Sequence, residues 1–146
     1  MTKPLILSAP EPRSLDLIFT PAAREDLHAG YDVREVQPDD IADLPADVLR
    51  SARYIIGQPA LSLTTLKQME KLRCIFNVES NLINNMPYDY LFEHGIHVVT
   101  TGAVFAEPVA EMGLAMALCL ARDVVAADTA FQEGRCLLYT SDAADE

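Results

Sequence analysis

Arg73-Cys-Ile-Phe-Asn-Val-Glu-Ser-Asn-Leu-Ile-Asn-Asn-Met-Pro-Tyr-Asp-Tyr-Leu-Phe-Glu-His-Gly-Ile-His-Val-Val-Thr100 is the stretch whose reading decides the fold. It opens on an apolar run, Arg73 to Val78, with the length and branched side chains of a buried strand. A polar loop follows, and Pro87 then stands where a helix can start, because its missing N–H costs nothing there. Tyr88 to His94 reads as that helix, and Gly95 ends it in the left-handed conformation that glycine adopts cheaply. Ile96 to Thr100 is a second short apolar run. A strand, a helix and a strand in succession predict a crossover between parallel neighbours.

The same unit repeats towards the N-terminus. Apolar runs at Leu5 to Ala9, Asp32 to Gln37 and Arg53 to Gln58 read as strands. Thr20 is placed to cap a helix with Pro21 at its first position and Gly30 at its end. Ser62 caps another that runs through Leu66 and Met69, and Pro45 to Ser51 is a weaker helical candidate. Strands alternating with helices predict an α/β domain, a flavodoxin-like parallel sheet with helices on both faces. In such sheets ligands bind beyond the carboxyl ends of the strands, here the loops after residues 9, 58 and 78.

From Glu107-Pro108 onward the pattern changes. Val109 to Arg122 is apolar on nearly every side, with Met112, Met116, Cys119 and Leu120, and is expected to be buried between layers. Asp123 to Arg135 continues it with a bend or as a second helix. Glu107 and Glu111 stand four apart, and Pro108 between them suggests that both lie in a first helical turn, where negative charge complements the helix dipole. The longest apolar stretch, Met112 to Ala121, is half the length needed to span a bilayer, and no signal-peptide pattern opens the chain. A cytoplasmic protein is expected.

The chain has 146 residues and a formal charge of −11. Its last eleven, Cys136-Leu-Leu-Tyr-Thr-Ser-Asp-Ala-Ala-Asp-Glu146, resemble a translated transposase sequencing adapter and are read as a non-native tail. Residues 1–135 then carry −8. That balance argues against nucleic acid or an anionic membrane as partner, since both are met by basic patches. Cys74 and Cys119 have no partner at a metal or redox spacing and read as buried structural thiols. His94 and His97 form His-x-x-His, but Gly95 between them keeps them off a shared helical face, so no metal site is expected. His94 and His28 sit at helix ends, where the dipole favours a cation.

Cys74 to Tyr90, Gly95-Ile-His-Val-Val99 and Phe105-Ala-Glu-Pro-Val-Ala-Glu111, in this order, resemble the N-terminal region of the D-isomer-specific 2-hydroxyacid dehydrogenases. The resemblance is strongest over residues 70–135 and topological before them. It implies a substrate domain over residues 1–104. Residues 105–135 would be the apolar crossover helix and the start of an incomplete Rossmann-type, NAD-binding domain. It implies that the parent protein is an NAD(P)-dependent oxidoreductase acting on a small 2-hydroxyacid or 2-ketoacid, and a homodimer. By position, the loop Val78-Glu79-Ser80-Asn81 would hold the substrate carboxylate on its backbone amides, with Gly57 and Gln58 lining the same cleft. Where the family's loop carries glycines this chain has Glu79 and Asn81, and Glu79 would repel an anion unless it points away. Gly113 stands where relatives often carry a threonine that bounds the nicotinamide pocket.

No G-x-G-x-x-G or G-x-x-x-x-G-K-[ST] occurs in the sequence, so no phosphate-cradling turn is present. In the family that turn, the Arg that pairs with the substrate and the His acid/base follow this point. This chain therefore offers no catalytic residue and is expected to be inactive alone. A phosphoacceptor receiver is disfavoured, because Gly57-Gln58-Pro59 and Asn77-Val78 place no Asp at a strand end. A non-catalytic NAD-sensing or corepressor-like protein on the same scaffold is the alternative.

Overall fold

The computed structural model describes residues 3–135. The tail, residues 136–146 with Cys136, lies outside the described residues. The chain divides between Val104 and Phe105 into two compact units.

The first unit contains β1 (Leu5–Ala9), α1 (Leu15–Ile18), α2 (Pro21–Gly30), β2 (Asp32–Glu35) and a 3-10 helix (Pro38–Asp43). It continues with α3 (Ala46–Ser51), β3 (Ala52–Gly57), α4 (Leu63–Gln68), β4 (Cys74–Phe76), α5 (Tyr88–Glu93) and β5 (His97–Val99). All five strands are parallel, in the order β2-β1-β3-β4-β5. This is the flavodoxin-like order expected from the alternation. Each predicted strand is found: β1 with the expected bounds, β3 shifted one residue towards the N-terminus, and β2, β4 and β5 shorter by two or three residues.

Chain direction decides which face each helix covers. The step from β1 to β2 runs one way along the sheet and the later steps run the other, so right-handed crossovers put their helices on opposite faces. On one face Leu7, Ile55 and Ile75, none of them exposed, pack with Ile41, Leu49, Leu66 and Leu91. On the other, Ile6 and Ile56 meet Leu15, Phe19, Leu27 and Tyr31 from the α1–α2 side. Over β4 and β5 that second face stays open, with Phe76 43% and Val99 47% exposed.

Local chemistry fixes the element ends. Thr20 Oγ1 accepts from the Ala23 N–H (3.3 Å), and Ser62 Oγ accepts from the Thr65 N–H (3.0 Å); each satisfies one of the donors a helix start leaves open. Gly95, at φ +66°, ends α5 as expected. The register of β1 on β3 slips between Leu5 and Ile6, so Arg53 is an extra residue in β3. Beyond the slip the strands run in step, and Ala9 lies opposite Gly57 at the carboxyl edge. Cys74 is buried on β4, which pushes its thiol pKa up. A thiol so shielded is unreactive, in keeping with a structural role.

The second helical segment corrects four expectations. α6 starts at Gly102 and runs to Ala121 with Pro108 inside it. Glu107 and Glu111 therefore lie in later turns, and the first turn holds no acid. Proline at that depth leaves the Val104 carbonyl without its usual donor; of the thirteen residues that follow, all but Glu111 are apolar or small and carry the helix on. Second, the apolar residues of α6 are exposed rather than buried, among them Met112 (62%) and Leu120 (79%). A helix apolar all round needs layers on every side, and α7 (Val124–Gln132) alone does not supply them. Third, Cys119 is half-buried, not buried. Fourth, α6 is long and apolar enough to cross a membrane by length and composition, because the average over a helix tolerates the two acids that interrupt the run. Crossing would place Glu111 near the bilayer centre, at a cost of about 3 kcal/mol. Asp123, at φ +49°, breaks α6 from α7 and resolves the bend as two helices.

Candidate functional site

In this strand order the reversal lies between β1 and β3, and ligands of such sheets bind in the crevice beyond that point. The crevice floor here is Gly57, at φ +133°. A side chain at this position would put its Cβ 2.0 Å from the Ala9 carbonyl oxygen. Only glycine lets the ends of β1 and β3 close to this distance.

The predicted site residues gather around this point. Gln58 Nε2 donates to the Asn81 carbonyl at 2.8 Å, so the loops after β3 and β4 meet. Glu79 Oε1 accepts from Arg13 Nε at 3.1 Å, and Arg13 belongs to the loop after β1. The Thr101 N–H donates to the Glu79 carbonyl at 3.3 Å. The carbonyls of Glu79 and Asn81 are therefore engaged. The backbone N–H groups of Val78, Glu79, Ser80 and Asn81 donate to no protein acceptor among the described residues. Successive open amides at a strand end are groups that can meet an anion, and two of the four carbonyls among them are tied back.

Sequence reasoning missed two features. The first is Arg13, which neutralises Glu79; nothing in the spacing of residues 13 and 79 signals that the β1 loop folds over to reach it. The second is Asn85. Its Nδ2 donates to the Gln58 carbonyl (3.2 Å) and to the Pro59 carbonyl (2.9 Å), its Oδ1 accepts from the Tyr88 hydroxyl (2.7 Å), and its own carbonyl accepts from the Leu61 N–H (2.9 Å). Asn85 thus staples the β3 loop to the β4 loop. Asn77, 3% exposed at the exit of β4, has no side-chain partner among the described residues.

Tyr88 completes the staple, its single hydroxyl proton shared between Asn85 Oδ1 and the Ile83 carbonyl at 2.9 Å. Burial raises the phenol's pKa above its ordinary value, and the bond to the Ile83 backbone lowers it in part. With the folded value above the unfolded one, the protonated phenol is the form the fold holds. Its contribution is complete below the ordinary tyrosine range and fades as pH rises through the raised value. Tyr88→Phe is expected to cost about 1 kcal/mol at neutral pH. Urea unfolding of both proteins at neutral and alkaline pH checks this, and the difference should shrink in alkali.

His94 and His97 do not converge. His94 Nδ1 lies 2.8 Å from the Tyr90 carbonyl, with the ring stacked on Tyr90, while His97 belongs to β5. No group of three or more metal-ligating side chains occurs among the described residues.

Fold and loop together define a parallel α/β unit with four open amides at one strand end. No protein-family model matches the chain, and no curated protein matches it. Solved structures do. A phosphoglycerate oxidoreductase from Rhizobium etli is 63% identical, with a TM-score of 0.79 over 94% of this chain and 43% of that one. A 2-hydroxyacid dehydrogenase from Ketogulonicigenium vulgare Y25 is 25% identical, with a TM-score of 0.61 over 92% of this chain and 41% of that one. A dehydrogenase from Rhizobium meliloti is 26% identical, with a TM-score of 0.56 over 91% of this chain and 46% of that one. The chain belongs to the D-2-hydroxyacid dehydrogenase family. It spans less than half the length of these three relatives.

Proposed function

We propose that the first unit is the substrate-carboxylate-binding part of an NAD(P)-dependent oxidoreductase that interconverts a 2-hydroxyacid and its 2-ketoacid. The observation that carries this reading is the run of open amides from Val78 to Asn81 at the end of β4. These N–H groups hold the substrate carboxylate, and the bonds from Gln58 and Thr101 keep the loop in shape to do so. Gly57 keeps the floor beneath them low. Family membership and the relatives named above support the redox class.

This unit binds and orients but moves no proton. The described residues hold no Gly-rich turn that would cradle a pyrophosphate, so they do not fit a nicotinamide dinucleotide. In this reading the nucleotide site and the acid/base group belong to sequence beyond this chain, and residues 1–135 alone are inactive.

The test is the purified product of the full-length gene. It is expected to oxidise NADH or NADPH with members of a 2-ketoacid panel, while residues 1–135 do not. A full-length protein that binds NADH yet turns over no ketoacid would assign the scaffold to nucleotide sensing, the alternative that the Glu79 and Asn81 substitutions in the loop favour.

A further inference from the structure

The loops beyond the carboxyl ends of β1, β3, β4 and β5 contain one cation, Arg13, and it is committed to Glu79. The pair bridges from the β1 loop to the β4 loop. It therefore passes over the end of β3, at the mouth of the crevice floored by Gly57. Glu79 is also one of the four residues whose amides are open, so the pair borders the place where a carboxylate would be held.

The chemistry of the pair discriminates among substrate tails. A second anion finds no uncommitted positive charge in these loops and meets the Glu79 carboxylate. An alkyl tail takes water from an ion pair that is half-exposed, 49% at Arg13 and 36% at Glu79, and stripping a charge of water without a new polar partner is costly. A hydroxyl matches both sides, because it donates to the second oxygen of Glu79 and accepts from the Arg13 Nη groups, which have no partner among the described residues. We propose that the Arg13–Glu79 pair is a specificity determinant that selects 2-hydroxyacids and 2-ketoacids whose tails carry hydroxyl groups over those with alkyl or anionic tails. This rests on the reading of the unit given above.

The experiment uses the full-length protein and its Glu79→Gln variant. The substrates are hydroxypyruvate, 2-ketobutyrate (nearly the same shape, with methyl for hydroxyl) and two ketoacids with anionic tails, oxaloacetate and 3-phosphohydroxypyruvate. The wild type is expected to favour hydroxypyruvate over 2-ketobutyrate by about tenfold or more in kcat/KM, the scale on which a site built for a hydroxyl begins to reject its apolar analogue. Glu79→Gln frees Arg13, so it should shrink that ratio and raise kcat/KM for both anionic-tailed substrates about tenfold. A merely structural role for the pair would not improve any substrate. A wild type that already prefers the anionic tails overturns the assignment, as does a variant that slows every ketoacid by one common factor. Absence of turnover with all of them overturns both this inference and the reading beneath it.

Discussion

Gly57→Ala is expected to remove most of the stability of the first unit. The new Cβ would stand 2.0 Å from the Ala9 carbonyl oxygen and 2.5 Å from the Ala9 carbonyl carbon. Both are backbone atoms of β1, an interior strand of the sheet, so no side-chain rotation relieves the clash. The backbone at φ +133° is itself strained for any residue with a side chain. Relief requires β1 and β3 to part at their carboxyl ends, where the candidate site lies. A loss of about 4 kcal/mol or more is expected, which places it among the largest single-substitution effects and against a total of roughly 5–15 kcal/mol for a domain. Gly95→Ala is the control: it has φ +66° but open space around it, so about 1–2 kcal/mol is expected. Urea unfolding followed by circular dichroism measures both. Equal midpoints for the two variants would mean that the β1–β3 contact relaxes and that the floor is not fixed by glycine.

Self-association of residues 1–135 is the second large effect. Met112, Met116 and Leu120 are spaced four apart on α6, and each is at least 60% exposed. Exposed apolar surface of this extent drives association. Burying three such side chains contributes on the order of 5 kcal/mol, or a few thousandfold in Kd. The chain is expected to sediment as assemblies, and a variant with lysine at all three positions as monomer at the same concentration. A wild-type chain that sediments as monomer throughout would sink this expectation.

Much of the first unit was legible in the sequence because its signals are local. Thr20, Ser62, Pro87 and Gly95 each fix a helix end through their own backbone or side chain, and short branched runs between them suit strands. The face each helix covers follows once the strand order and crossover handedness are applied. What stayed hidden depends on distant partners. Arg13 and Glu79 meet only because β1 and β4 flank β3, and the part Asn85 plays depends on two carbonyls more than twenty-five residues away. The start of α6 was misplaced for a different reason. Proline at position 108 looks like a helix beginning, and only the apolar context on both sides lets a helix run through it.

The Asn85 staple bears on how this protein can change over generations. Loops that connect strands to helices ordinarily gain and lose residues freely, since each is anchored only at its own ends. Here one amide side chain grips the β3 loop at two successive carbonyls while its own backbone takes a third bond from that loop. An insertion or deletion between Asn81 and Asn85, or between Gln58 and Leu61, would shift one partner by more than the length of a hydrogen bond and break all three at once. The two loops are thus inherited as one block. New substrate preferences on this scaffold should arise by exchange of side chains such as those at positions 13 and 79, with the lengths of these loops held constant.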